Sequence, residues 1–108
     1  MLFIGADRMG RGDDRLGAVL IKAALSALAD LEPRPKTLVL MNTGVKLATE
    51  GSPVLEELRR LQTLGVEILV CGTCLDWFRL KEKVAVGTVS NMFTILERFL
   101  AADSVVSL

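Results

Sequence analysis

Cys71-Gly72-Thr73-Cys74 holds the only two cysteines of the chain, which has no histidine and no tyrosine. Thiol chemistry therefore has one address, and a Cys-His dyad or histidine-rich metal site has none. The motif stands where the apolar run Val66-Glu67-Ile68-Leu69-Val70 ends. At such a strand-to-helix junction, backbone N–H groups and the positive end of the following helix can stabilise a thiolate. Two thiols fall short of the four ligands a structural zinc ion takes, so no metal site is expected. Three readings remain: a disulfide-exchange pair, a nucleophilic thiol that carries a persulfide with a helper beside it, or two small apolar residues of the core.

The elements that must hold this motif alternate along the chain. Leu2-Phe3-Ile4 reads as a first strand, followed by the glycine-rich loop Gly5 to Gly12. A helix is expected from about Asp13 to Asp30, with Asp13 and Asp14 complementing its N-terminus. Leu38 to Met41 forms a second strand after the breaker Pro33-Arg34-Pro35. Ser52 is the expected cap of a second helix, with Pro53 its first residue and Gly65 its stop. After the third strand come a helical turn from Leu75 to Leu80, a brief strand Val84-Ala85-Val86, a final helix capped by Ser90, and a fifth strand from Ser104 to Leu108. Apolar strands separated by helices imply a parallel sheet covered on both faces, with ligands gathering at the carboxyl ends of the strands. Three loops should meet there: Gly5 to Gly12, Asn42 to Gly51, and Cys71 to Cys74. Arg8, Asn42 and Lys46 are candidate substrate-binding or thiol-activating residues on that edge. Without histidine, helix-end N–H groups and the cations Arg8, Arg11 and Lys46 are the means of thiol activation. At least one thiol is then expected to titrate below the free-cysteine value of about 8.5.

The first helix has an apolar arc wider than an ordinary surface helix needs. Leu16, Leu20, Ala23, Ala24, Ala27 and Leu31 fill one face, and Ile21, Leu25 and Leu28 extend it. The excess points to a subunit interface that includes Ile21 or Leu25. Gly10-Arg11-Gly12 lacks the spacing of a phosphate loop, and Asp13 and Asp14 would repel a phosphate at the helix start. Thirteen basic and thirteen acidic residues balance to zero, which offers no nucleic-acid surface. No apolar run is long enough to span a bilayer, and no basic, apolar leader opens the sequence. Two cysteines three apart do not make a secreted disulfide framework. One cytoplasmic domain, residues 1–108, is the expectation.

Taken together, Gly5-Ala6-Asp7-Arg8-Met9-Gly10-Arg11-Gly12-Asp13-Asp14, Met41-Asn42-Thr43-Gly44-Val45-Lys46-Leu47, Gly51-Ser52-Pro53-Val54-Leu55, Gly65 to Asp76 and Val86 to Met92 resemble the DsrE/DsrF-like family of sulfur-relay proteins. The sequence is most similar to the C-terminal domain of the YedF proteins associated with selenium metabolism. The resemblance implies a three-layer α/β/α sandwich on a five-stranded, mainly parallel sheet, assembled into oligomers. It also implies persulfide sulfur, or selenium, accepted on Cys71 with Cys74 assisting and no cofactor. A carrier resembling SirA or TusA is the implied partner. YedF proteins bear such a domain ahead of this one; the resemblance leaves this chain as a separately encoded or an excised domain, or its partner acting in trans. Related sequences often have Arg-Gly or a lone Gly where this chain has Phe78-Arg79, so a different turn is expected after the motif. The alternatives are a non-catalytic oligomeric binding module with structural thiols, or a dithiol-disulfide oxidoreductase. Against a thioredoxin-type site, Pro33, Pro35 and Pro53 all precede Cys71, whereas thioredoxins carry a cis-proline after the motif.

Overall fold

The computed structural model describes residues 1–108. The apolar runs form five strands: β1 (Leu2–Ile4), β2 (Thr37–Leu40), β3 (Glu67–Cys71), β4 (Thr88–Ser90) and β5 (Val106–Ser107). Their spatial order is β4-β3-β2-β1-β5, and every pairing is parallel. Leu38, Val39, Leu40 and Val70 are fully buried, as central strands covered on both faces require. Four helices connect them: α1 (Asp14–Asp30), α2 (Leu55–Thr63), α3 (Gly72–Trp77) and α4 (Met92–Ala101). The chain steps from β1 through β4 in one direction, and right-handed crossovers put α1, α2 and α3 on one face. The return from β4 to β5 runs the other way and puts α4 alone on the opposite face. The three-layer sandwich expected from the sequence is present.

Helix α1 corrects the expectation about assembly. Its inward stripe is Gly17, Ile21, Leu25 and Ala29, so Ile21 and Leu25 belong to the core of this chain and not to a subunit interface. Gly17 sets that rotation. A Cβ there would lie 2.9 Å from the Arg8 Cβ, so only a glycine lets the loop after β1 press on the helix. With that face turned inward, Leu16, Val19, Leu20 and Leu31 are left exposed.

Several boundaries also differ. Asp13 is the cap of α1, its carboxylate accepting from the Leu16 N–H at 2.9 Å. Ser52 caps the turn ahead of α2, accepting from the Val54 N–H, and the helix begins at Leu55 instead of Pro53. Gly65 ends α2 as expected, at φ +96°. Val84 to Val86 is not a sheet strand: it bonds to Ala48 and Thr49 of the neighbouring loop. β4 therefore forms after Gly87. Asn91, not Ser90, caps α4 through the Thr94 N–H. The third helix starts at Gly72, three residues earlier than expected.

Helix α4 is anchored by one ion pair and one aromatic contact. Arg98 donates from Nε and from its terminal nitrogen to the two Glu67 carboxylate oxygens, at 2.9 and 3.1 Å. The Thr37 hydroxyl donates to the same carboxylate. Phe99 packs on Phe3 with ring centroids 5.7 Å apart. The Arg98 hydrogen bonds hold the Glu67 carboxyl below its usual range, against a partial desolvation that pushes it up. A carboxylate with a lowered folded-state pKa stabilises above its unfolded value, and that contribution is lost as the pH falls through the folded value. Glu67→Gln should therefore be less stable than wild type to urea at pH 7. The gap should shrink once the pH drops under about 4.3. Both side chains are about two-fifths exposed, so the effect will be modest and weaker in high salt.

Candidate functional site

The three loops expected to converge do so at the carboxyl edge of the sheet. After β2 the chain enters a 3-10 helix, Asn42–Ala48. The Met41 N–H donates to the Ile4 carbonyl at 3.0 Å, and the Thr43 hydroxyl accepts from the Asp7 N–H at 3.2 Å. These bonds tie the second loop to the first. Gly44 lies so close to the end of β1 that an added Cβ would collide with the Ile4 carbonyl. That clash is with backbone, which cannot swing aside, so only glycine allows the approach.

The second and third loops meet through a thiol. The Asn42 N–H donates to the Cys74 sulfur at 3.1 Å. Asn42 has φ +55°, a left-handed conformation that asparagine tolerates better than most residues. Its side-chain oxygen accepts from the next N–H, that of Thr43, at 2.9 Å. Asn42 thus contributes a backbone donor, while its side chain steadies the turn that aims it.

The two cysteines occupy different surroundings. Cys71 closes β3 and is 1 % exposed among the apolar residues of the core. Cys74 lies one turn further on in α3 and is half-buried, and both thiols are free. Burial pushes the Cys74 thiol above its ordinary value. The Asn42 N–H pulls it down, and the adjacent Cys71 resists its ionisation. The expected lowering of a thiol pKa is therefore not met at Cys74: partial desolvation, with the Cys71 thiol, outweighs the Asn42 N–H and a second backbone donor from Cys74 itself, and no nearby cation contributes.

The remaining candidates are engaged elsewhere. The Arg8 guanidinium binds Asp14 at 2.6 Å and approaches Asp7 at 3.7 Å. Lys46 sits over the Phe78 ring, 4.7 Å from its centre. Arg11 is exposed on the glycine loop. The structure brings together Cys71, Cys74 and Asn42, with Arg8 and Lys46 on the surrounding loops. Thr43 and Gly44, which join two of the loops, lie in the stretch Met41 to Leu47 that carries the family resemblance, but the sequence assigns neither a role of its own. No group of three or more histidine, cysteine or acidic residues could hold a metal ion. A cavity of about 590 Å3 lies at the opposite, amino edge, lined by Arg34, Lys36, Thr37 and Arg98 among others. It is remote from both thiols.

The turn after the motif keeps the form that glycine usually supplies. Arg79 has φ +58°, the Leu80 N–H donates to the Leu75 carbonyl and the Arg79 N–H to that of Asp76. This is the six-to-one and five-to-two bonding that ends helices with a left-handed residue. The turn is thus retained with arginine in a position costing an L-residue roughly 1–2 kcal/mol.

Residues 5–108 match the DsrE/DsrF-like family, and the chain belongs to it. Two solved structures have the same fold. The YchN protein from E. coli superposes with a TM-score of 0.71 at 16% identity, over 99% of this chain and 97% of that one. MTH1491 from Methanobacterium thermoautotrophicum, a protein of unknown function, gives 0.69 at 18% identity, over 99% and 96%. At those identities the likeness shows the fold alone. No curated protein matches the sequence. No helix is long and apolar enough to cross a membrane.

The surroundings of Cys74 set a measurable pH dependence. In the wild type, where Cys71 is buried, the rate of Cys74 alkylation by iodoacetamide, located by peptide mass, should rise with pH to a midpoint above the free-cysteine value of about 8.5. A midpoint below that value would mean a thiolate stabilised by something other than the Asn42 donor.

Proposed function

We propose that this domain handles persulfide sulfur, or selenium in its place, through Cys71 and Cys74. One observation carries the reading: the only two thiols of the chain stand at the carboxyl edge of a parallel sheet, where ligands gather, and a backbone N–H is aimed at one of them. Membership of a family associated with sulfur relay supports the same chemistry. A sulfane sulfur moves between thiols by thiolate attack, and a thiolate needs only hydrogen-bond donors for its charge. Arg8, Asn42 and Lys46 form the surround through which a donor approaches, and no cofactor is required. Free thiols suit a reducing compartment, and the cytoplasm is the proposed location.

Incubation with a small persulfide donor, followed by intact-mass and free-sulfide measurement, should show that the wild type takes sulfane sulfur from the donor, either held as an adduct or released as sulfide. The Cys71→Ala/Cys74→Ser double variant should gain nothing. The second reading, a binding module with structural thiols, is favoured by the burial of Cys71 and by the upward push on Cys74. A wild type that neither holds sulfur nor releases sulfide would establish that reading instead.

The partners we propose are a second copy of this chain and a small sulfur carrier like SirA or TusA. Trp77 is 83 % exposed one turn beyond Cys74, and an i, i+3 pair shares a helix face. An exposed tryptophan beside a reactive thiol suits a protein donor, because tryptophan anchors interfaces. For self-assembly the α4 face is the better surface. Five strands about 4.8 Å apart are wider than one helix of about 10 Å, and α4 covers that face alone. Phe93, Leu96 and Leu100 stand outward on it. Leu100→Glu should leave the circular dichroism unchanged and give a smaller particle by light scattering. An unchanged particle size would exclude this surface as the interface.

A further inference from the structure

We infer that Cys74 is the thiol that takes up sulfur and that Cys71 is the resolving thiol that discharges it as hydrosulfide, leaving a Cys71–Cys74 disulfide. This rests on the proposed persulfide chemistry and reverses the order that the family resemblance implies.

Access decides the first role. A thiolate that attacks a persulfide must approach the sulfane sulfur along the S–S axis, so a donor has to reach it. Cys71 is 1 % exposed inside the apolar cluster, where a charged sulfur has poor solvation. Cys74 is half-buried and meets the surface. The Asn42 N–H, 3.1 Å from the Cys74 sulfur, is already oriented towards charge on that atom. Its direction is held by the Asn42 side chain on the Thr43 N–H and by the close seat of Gly44 on β1. A donor fixed before the reaction stabilises developing charge without reorganising. Cys71 has no such donor among the hydrogen bonds of this edge.

Adjacency decides the second role. Cys71 immediately precedes the first turn of α3, so the two thiols lie on one side of it. They are near enough for Cys71 to resist ionisation of Cys74. An inner thiol beside a loaded one is placed to resolve it, as in other Cys-x-x-Cys pairs.

The steps balance. The Cys74 thiolate attacks the outer sulfur of a donor persulfide, forming Cys74–S–SH; the donor S–S bond breaks and the donor thiolate leaves and takes up a proton. The Cys71 thiol then passes its proton to the outer sulfur of the adjacent Cys74 persulfide, in its anionic form Cys74–S–S⁻, as its own sulfur attacks the Cys74 sulfur. A Cys71–Cys74 bond forms, the bond from Cys74 to the outer sulfur breaks, and that outer sulfur leaves as hydrosulfide with both electrons. The two cysteines are oxidised and the sulfane sulfur is reduced. A low-molecular-weight thiol, by two exchanges, returns the pair to the dithiol and is itself oxidised to its disulfide.

The test loads the full chain with one equivalent of a small-molecule persulfide under anaerobic conditions. It measures intact mass, peptide location of the adduct, and free sulfide. Wild type should release sulfide and end as the internal disulfide. Cys71→Ala, which keeps a small apolar residue in the core, should keep the sulfur on Cys74 and release no sulfide. Cys74→Ser should take up none. An adduct on Cys71 in Cys74→Ser, or sulfide release by Cys71→Ala at the wild-type rate, would overturn the assignment while leaving the persulfide reading intact. Uptake by none of the three proteins would remove both. Circular dichroism of each variant establishes that the comparison is between folded proteins.

Discussion

Residue 44 has to be glycine because the chain after β2 passes against the end of β1 with no room for a side chain. The rest of the site depends on that contact. It seats the 3-10 helix Asn42–Ala48 on the sheet edge, it lets Thr43 accept from Asp7, and it fixes the direction of the Asn42 N–H. That N–H then meets the Cys74 sulfur, which α3 brings across from the end of the neighbouring strand. Gly72 plays the matching part on the other side. A Cβ there would lie 2.9 Å from the Ser90 carbonyl, so glycine allows α3 to start directly at the end of β3. Two close backbone approaches, one on each side, determine where the thiols stand.

The site is built with few charges. A thiol at this edge could have been activated by cations, but Arg8 is committed to Asp14 and Asp7 and Lys46 lies over Phe78. What remains are two neutral backbone donors, those of Asn42 and of Cys74 itself, against partial burial, and burial wins at Cys74. A less acidic thiol is a more nucleophilic one once ionised. A thiol of this kind reacts through a small thiolate fraction of high reactivity, and responds to a partner that brings a positive charge or a second donor to the edge.

Much of the fold was legible in the sequence because it follows from period and punctuation. Apolar runs separated by amphipathic stretches gave a parallel sheet, and Gly65 marked the end of α2 through a positive φ that other residues resist. What was not legible depends on contacts between distant segments. Val84 to Val86 has a strand's composition, but its partners are Ala48 and Thr49 of a loop, which no local pattern reveals. Helix α1 is apolar on several sides, so its inward face was decided by the fit of Gly17 to the first loop. Periodicity alone could not choose it. The site shows the same division. Its address was plain from the two cysteines, and the convergence of loops followed from sheet topology. The unequal burial of Cys71 and Cys74 was not, since both are small and lie three residues apart. Asn42 was recognised as a residue of the edge, yet it acts through its backbone, which composition does not disclose.

The central claim is that the Asn42 N–H holds the Cys74 sulfur. The most direct measurement is a pH titration of the Asn42 amide resonance by 15N-resolved NMR, on wild type and on Cys74→Ser. If the claim holds, the wild-type amide will shift as Cys74 ionises, with a midpoint above the ordinary cysteine value, and the shift will be absent from Cys74→Ser. An amide that ignores the titration in wild type, or that titrates equally in Cys74→Ser, would contradict it.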